Sequence, residues 1–311
     1  MIKTCFRKTY HFFNELVKRG RWFNEKMFPD CRKFVEHTTF NLDVINLGST
    51  SGVNAFNYQG LNVKAANWAM GHNPLACDEA ILKNYVSYLK ADGAIVILSL
   101  CAFSSLSGSY NYFEDRYYTI LYPSTIPGFS KRKQNEVMAI YNRPLLCIPL
   151  YELLRDLWSL LKKPFSKGEK ILTEEQMENN AQIWINNWLK EFSVKDFSLP
   201  LSLVNQDGLA DAVKHLNNMI TICKEHNAIP VLVLPPMYHT LAEKFTPNAR
   251  NILIDSMISR IDDKSVLFLN YMDDSDFSND RHLFKDSFFL NQRGAKLFTK
   301  RVLADLPDVC I

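Results

Sequence analysis

Short apolar runs alternate with amphipathic stretches along most of the chain. Five of the runs are mostly apolar and bounded by turn residues, which is typical of strands in a buried parallel sheet. They lie at residues 44–47, 61–66, 94–101, 228–236 and 265–272. Because helical patterns separate them, we predict an α/β fold built on a doubly wound, flavodoxin-like parallel sheet of about five strands. Strand 44–47 is expected at the centre of this sheet.

The stretches between the strands carry apolar residues at helical spacing. One helix is predicted after the loop at 71–74, and others at 208–227, 249–261 and 291–306. Asn291 stands at the start of the last one, where an asparagine side chain can cap free backbone N–H groups.

Residues 103–207 break this rhythm and predict a mainly helical insertion. The segment 145–165 within it is densely apolar, but charged residues interrupt it, so it falls short of the roughly 18 to 20 apolar residues that span a membrane. The charged residues within it include Glu152, Arg155 and Asp156. We interpret the segment as an amphipathic surface or lid helix. A second amphipathic helix, with Trp184 and Trp188 in an aromatic stripe, is expected to face the core.

The first 40 residues form a basic amphipathic segment. Four apolar residues recur at helical spacing: Phe6, Tyr10, Phe13 and Val17. Such a helix either docks on the body of the protein or lies on an anionic membrane surface. The predicted domain organisation has three parts. Residues 1–40 form the basic amphipathic helical segment, residues 41–306 form a single α/β domain with the insertion at 103–207, and residues 307–311 form a tail.

Composition narrows the classes of partner. The net charge is +3 and no basic tract interleaved with aromatic residues occurs, so nucleic acid is not an expected partner. The seven cysteines are scattered without a CxxC pair. Cys77, Cys101 and Cys147 stand among apolar neighbours, which indicates buried thiols in a reducing compartment. Because the start also lacks the features of a secretory signal, the expected location is the cytoplasm, with peripheral association at the inner membrane surface as an alternative.

A cluster of small hydroxyl residues follows the first strand. Gly48-Ser49-Thr50-Ser51-Gly52 places three hydroxyls at a turn, at the edge of the sheet where ligands usually bind. A glycine-flanked turn exposes a nucleophile. The same pattern also fits a phosphate-cradling turn or a structural one. The sequence carries no GxGxxG, P-loop, calcium loop or metal-ligand spacing, so no cofactor or metal is expected.

A late loop supplies the second candidate motif. Asp286-Ser287-Phe288-Phe289-Leu290-Asn291 is followed by Gly294 and a helix. Together with the hydroxyl turn it resembles the SGNH (GDSL-like) hydrolase superfamily, especially its esterase-like and acyl-transferring branch in bacterial cell-surface polysaccharide clusters. In that family a Gly-x-Ser turn ends the first strand, and a late Asp-x-x-His loop supplies acid and base. The resemblance covers most of residues 41–306.

The resemblance has two departures at the positions that matter for catalysis. The family's nucleophile position falls on Thr50, with Ser49 and Ser51 on either side, and its histidine position falls on Phe289. A hydroxyl is a weak nucleophile unless a base activates it. The candidate replacements are His282, in the loop of Asp286, and His239, after the strand at 228–236.

The oxyanion hole is expected in the loop at Gly71, His72 and Asn73, which occupies the family's position for it. The resemblance thus implies an acyl esterase or O-acyltransferase, most simply for acetyl groups, acting on a cell-surface polysaccharide or its precursor. A catalytically defective relative that binds a glycan or a partner enzyme is the alternative. A membrane-surface accessory protein in glycan assembly is the third hypothesis.

Overall fold

The computed structural model describes residues 2–36, 39–106, 113–161 and 171–306. The predicted tail at 307–311 and the last four residues of the predicted segment 145–165 lie outside this part. The chain divides into two compact units. The smaller one combines Met1–Thr38 with Phe113–Gly168, and the larger one combines Thr39–Tyr112 with Glu169–Ile311. The first segment of the chain and part of the predicted insertion thus belong to one unit.

The larger unit contains a five-stranded parallel sheet. Its strands are β1 (Val44–Gly48), β2 (Ala65–Asn67), β3 (Ile95–Ser99), β4 (Ile229–Leu234) and β5 (Leu267–Asn270). The spatial order is β2-β1-β3-β4-β5, and every neighbouring pair is parallel. This is the flavodoxin-like order of a doubly wound fold. The predicted fold class is therefore confirmed. The central strand is β3, whereas β1 lies between β3 and the edge strand β2.

The burial of each strand follows its composition. β1 and β3 are buried along their whole length, as interior strands of a parallel sheet covered on both faces should be. The edge strand β2 is only three residues long and half-buried. The register pairs Val44 with Ile95 and Gly48 with Ser99, so β1 and β3 end at the same level.

Helices account for most of the remaining described structure. The longer ones are α1 (Ile2–Lys18), α2 (Thr50–Ala55), α3 (Leu75–Tyr85), α4 (Lys131–Asn142), α5 (Leu150–Leu161), α6 (Glu174–Glu191), α7 (Leu203–Glu225) and α8 (Gln292–Asp305). Short helical turns lie at Trp22–Met27, Arg32–Val35, Val86–Tyr88, Asp115–Thr119, Pro123–Thr125, Pro144–Leu146, His239–Ala242, Pro247–Arg250, Asn251–Asp255, Ser256–Ile258, Ser275–Ser278 and Arg281–Leu283.

Several helix predictions are confirmed, and the differences have local causes. Asn291 caps α8, because its side-chain oxygen accepts the N–H of Gly294 at 2.9 Å. The predicted helix at 249–261 begins earlier, at Pro247, because Thr246 caps it, and its middle is a π-helical turn. None of the helices in the described ranges is long and apolar enough to cross a membrane.

The burial of the cysteines agrees only in part with the sequence. Cys77 and Cys101 are buried, as their apolar neighbours indicate, but Cys147 is exposed. Cys147 ends the helical turn Pro144–Leu146 in the smaller unit, where the adjacent Leu146 is exposed as well. An apolar sequence neighbourhood therefore does not bury this thiol.

Candidate functional site

A cavity of about 430 Å³ opens at the carboxyl ends of β1 and β3 in the larger unit. The strand order reverses between these two strands, which is where ligands bind in open α/β sheets. One side of the cavity is polar, with Ser49, Thr50, Ser51, His72, Asn73, Asp78 and Ser99. The other side is aromatic, with Phe103, Trp184, Trp188, Phe192, Phe288 and Phe289.

Gly48 lets the chain turn directly from β1 into α2. Its φ is +130°, a conformation that L side chains rarely adopt, and a Cβ at this position would lie 2.6 Å from the carbonyl oxygen of Ser99. Ser49 follows at the N-cap position of α2 but makes no capping hydrogen bond. The turn therefore directs its hydroxyl to other partners.

Two asparagines in adjacent strands hold the turn in place. The buried side chain of Asn46 in β1 donates to the side-chain oxygen of Asn67 in β2 at 3.0 Å. Asn67 in turn donates to the carbonyl oxygen of Phe56, just after α2, at 3.0 Å, and lies within reach of the carbonyls of Gly52 and Val53. Amide side chains that satisfy carbonyl groups at the end of a short helix fix its position relative to the sheet.

The loop before α3 contacts two of the three hydroxyls. The backbone N–H of Asn73 donates to Ser49 Oγ at 3.2 Å, and the N–H of His72 donates to Thr50 Oγ1 at 3.1 Å. His72 has a left-handed backbone, with φ of +54°. Asn73 thus lines the cavity as the predicted oxyanion-hole loop requires, whereas Gly71 is not among the lining residues.

The third hydroxyl, that of Ser51, is buried beside Cys101. Ser51 Oγ and Cys101 Sγ are 2.9 Å apart. Burial raises the pKa of the Cys101 thiol to about 11, so the sulfur is protonated at neutral pH and is no thiolate nucleophile. Ser49 and Thr50 are only half-buried, which makes them the more accessible hydroxyls of the cavity.

A buried carboxyl group completes the polar side. Asp78 in α3 is 2% exposed, and its Oδ1 accepts the backbone N–H of Gly48 at 3.0 Å and the side-chain amide of Asn73. Burial raises the pKa of Asp78 to about 7, and the two hydrogen bonds oppose this rise. Asp78 therefore links the loop before α3 to the end of β1 and titrates near neutral pH.

The aromatic side of the cavity includes Phe289, the position to which the resemblance to SGNH hydrolases assigns a histidine. Phe289 packs edge-to-face against Trp184, with ring centroids 5.5 Å apart. The ammonium group of Lys285 lies 4.7 Å from the centroid of the Phe289 ring. Trp188 packs against Phe288 and Phe103 in the same wall. The side chain at position 289, where the resemblance would place an imidazole, is therefore part of a hydrophobic wall.

The structure does not bring the other predicted acid and base residues into the cavity. Oδ1 of Asp286 accepts the backbone N–H groups of Phe288 and Phe289 at 2.9 and 2.8 Å, and burial raises the pKa of Asp286. His239 Nε2 lies 3.1 Å from Glu174, and His282 is exposed in a helical turn. None of these three lines the cavity, and among the described histidines His72 alone does.

Sequence reasoning missed Asp78 and the thiol of Cys101. A signal for Asp78 existed, because it shares a helical stripe with Leu75, Leu82 and Tyr85 and so places a carboxyl at a core position. The contact between Ser51 and Cys101 had no signal, since it depends on how the ends of β1 and β3 meet.

No protein-family model matches the chain, and no curated protein matches its sequence. Among the residues that the structure describes, no group of three or more His, Cys, Asp or Glu side chains is placed to hold a metal ion.

Proposed function

We propose that this chain is an SGNH-like acyl esterase or O-acyltransferase whose active site is the cavity at the ends of β1 and β3. The observation that carries the proposal is the pair of accessible hydroxyls, Ser49 and Thr50, which each accept a backbone N–H from the loop before α3. Hydroxyls at a switch-point turn, beside backbone donors, are the parts that acyl transfer requires.

The reaction would proceed in two steps. The hydroxyl oxygen of Ser49 or Thr50 attacks the ester carbonyl carbon, and the hydroxyl proton moves to a base. The backbone N–H groups of His72 and Asn73 donate to the two hydroxyls in the free site, and in the proposed reaction they would shift to the negative oxygen of the tetrahedral intermediate. The bond to the alcohol then breaks, and the alcohol leaves with the proton. Water or a sugar hydroxyl subsequently attacks the acyl-enzyme and releases the acyl group.

His72 is the best candidate for the base. It lines the cavity, and its backbone N–H donates a hydrogen bond to the side-chain oxygen of Thr50. An imidazole side chain can accept and return a proton in such a reaction. Asp78 is a positioning residue, since its carboxyl oxygen accepts from Gly48 and Asn73 on either side of the hydroxyl turn.

The lining of the cavity favours a neutral acyl group. Glu191 and Asp78 bring the carboxyl groups, and the residues identified around the cavity include no Lys or Arg. An anionic ligand would therefore lack a counter-charge. The aromatic side chains are packed against one another rather than spread as an open platform, which suits an apolar acyl group better than the face of a sugar. The alcohol part would be a sugar of a surface polysaccharide or its precursor, as the resemblance implies.

A binding protein without catalysis is the second candidate. The observation that favours it is Phe289, which fills the family's histidine position as part of the aromatic wall. In this case the cavity would still hold an acylated sugar, but the ester would remain intact.

Turnover of p-nitrophenyl esters of increasing acyl length tests the proposal. Wild type should release p-nitrophenol, and either Ser49→Ala or Thr50→Ala should abolish the release, while the exposed control Ser87→Ala should not. A wild type that binds acylated sugars but releases nothing, together with activity gained by Phe289→His, would favour the second candidate instead.

A further inference from the structure

Helix α5 in the smaller unit exposes its apolar residues and buries its acidic ones. Leu150, Leu154 and Trp158 recur at intervals of four residues and are 70%, 58% and 62% exposed. Tyr151 extends this stripe and is exposed as well. Because apolar stripes of surface helices normally face the core, this helix has the opposite orientation from the usual one.

Buried carboxylates hold the helix in this orientation. Glu152 is 1% exposed and forms ion pairs with Lys26 and Arg155. Asp156, one turn further along, accepts the backbone N–H of Trp22 at 3.1 Å. Rotating the helix to bury its leucines would expose or break these contacts. The apolar stripe is therefore fixed on the outside.

Helix α1 of the same unit combines exposed cations with an exposed aromatic residue. Lys8 and Phe12 are exposed and lie four residues apart on one face of the helix, and Arg19, which follows the last helical residue, is exposed as well. The side chain of Asn14, on the buried side, accepts the backbone N–H of Leu145 at 3.1 Å. This bond ties α1 to the turn Pro144–Leu146, which leads into α5.

The charges of this unit are unevenly paired. Its described carboxylates each contact a Lys or Arg side chain, apart from Asp156, which accepts a backbone N–H. By contrast, Arg7 and Lys8 on α1 and Arg19 just after it are exposed and form no ion pair with any described residue. The surface of the unit thus carries uncompensated positive charge near exposed apolar side chains.

We infer that the smaller unit binds to the surface of an anionic lipid bilayer. The apolar stripe of α5 and Phe12 of α1 would enter the boundary between head groups and acyl chains, and Lys8 and Arg19 would contact anionic head groups. Charge complementarity selects a lipid surface as the occupant, since the unit exposes apolar side chains together with cations that have no acidic partner within the described chain. This inference is independent of the reaction in the cavity.

Flotation of the full chain with vesicles tests the inference. Wild type should float with vesicles that contain phosphatidylglycerol and remain in the soluble fraction with pure phosphatidylcholine. The double variant Leu154→Gln/Trp158→Gln should lower the bound fraction on the order of tenfold or more, since it removes apolar side chains that would be buried in the bilayer. Lys8→Glu/Arg19→Glu should lower it by a similar factor, because each cation near an anionic leaflet strengthens binding.

Matched controls use exposed residues of the larger unit. Leu203→Gln/Val204→Gln on α7 and Arg293→Glu/Lys300→Glu on α8 change the same chemistry elsewhere and should float like wild type. Circular dichroism of each variant confirms that it is folded. Equal recovery of wild type in the soluble fraction with both kinds of vesicle would overturn the inference. Self-association that Leu154→Gln/Trp158→Gln abolishes, without vesicle binding, would overturn it in favour of a second copy of the chain.

Discussion

The carboxyl oxygen of Asp78 accepts the backbone N–H of Gly48 at 3.0 Å. This bond joins the first turn of α3 to the last residue of β1, where the hydroxyl turn begins. Asp78 also accepts the side-chain amide of Asn73, whose backbone N–H contacts Ser49. A single buried carboxyl therefore positions both the hydroxyl turn and the loop that would stabilise an oxyanion.

The pH dependence of stability should report on this carboxyl. Burial raises the pKa of Asp78 from 3.8 to about 7 in the folded state. Between these values the folded chain binds more protons than the unfolded one, so the contribution of Asp78 to stability falls as pH rises from about 4 to about 7. The loss is about 1.4 kcal/mol for each unit of pKa difference.

Asp78→Asn removes this titration. Urea unfolding at several pH values should show the variant gaining stability relative to wild type as pH rises, with most of the change complete near pH 7. A difference in unfolding free energy between the two proteins that does not vary with pH would contradict the burial and raised pKa of this carboxyl.

Gly48 should be intolerant of any side chain. Gly48→Ala places a methyl group 2.6 Å from the carbonyl oxygen of Ser99, at a φ of +130°. We expect a loss of about 3–5 kcal/mol of unfolding free energy, because the backbones of β1 and β3 must separate. Gly60→Ala is the matched control, since Gly60 also has a positive φ but only the end of Lys296 nearby. It should cost about 1 kcal/mol.

The base of the proposed reaction should be His72. His72→Asn keeps the left-handed backbone, which asparagine tolerates, while it removes the imidazole. Ester turnover should fall by about 100-fold to 10,000-fold, with little change in the urea midpoint. His239→Asn and His282→Asn should leave turnover unchanged, because neither residue lines the cavity. A loss confined to one of these two variants would assign the base to that residue.

The aromatic wall should set the preference for acyl length. Trp184→Ala removes one ring of the wall, so kcat/KM for octanoyl esters should fall by about tenfold or more while that for acetyl esters changes little. Ile183→Ala is the control, because Ile183 is the neighbouring residue on α6 and is exposed. Equal losses for long and short acyl groups would indicate that Trp184 supports the structure rather than contacts the acyl chain.

The fold was predictable because its decisive elements are local in sequence. The short apolar runs of β1, β3 and β4, bounded by turn residues, are typical of buried strands in a parallel sheet. The glycine-bounded hydroxyl cluster locates the end of β1. Which face of α5 is buried could not be predicted as easily from the sequence. Its composition shows an amphipathic helix, but the carboxylates of Glu152 and Asp156 face inward because partners distant in sequence, Lys26 and Trp22, receive them.

The candidate site was predictable at its hydroxyl turn and less so elsewhere. Ser49, Thr50, Ser51 and Asn73 line one cavity, since the carboxyl end of β1 and the loop before α3 meet there. His239 follows β4 in sequence, but its imidazole pairs with Glu174 at the start of α6. Whether a loop histidine reaches the cavity depends on the partners of its side chain, and a single sequence does not reveal those partners.

Covalent trapping is the most direct test of the proposed nucleophile. The full chain is incubated with an alkyl fluorophosphonate, which phosphonylates activated hydroxyls, and the modified residue is located by peptide mass spectrometry. One adduct is expected, on Ser49 or Thr50, which forms more slowly in His72→Asn and is suppressed by an acyl ester. Unmodified residues 49–51, under conditions that fully label a known serine esterase, would contradict the proposed nucleophile.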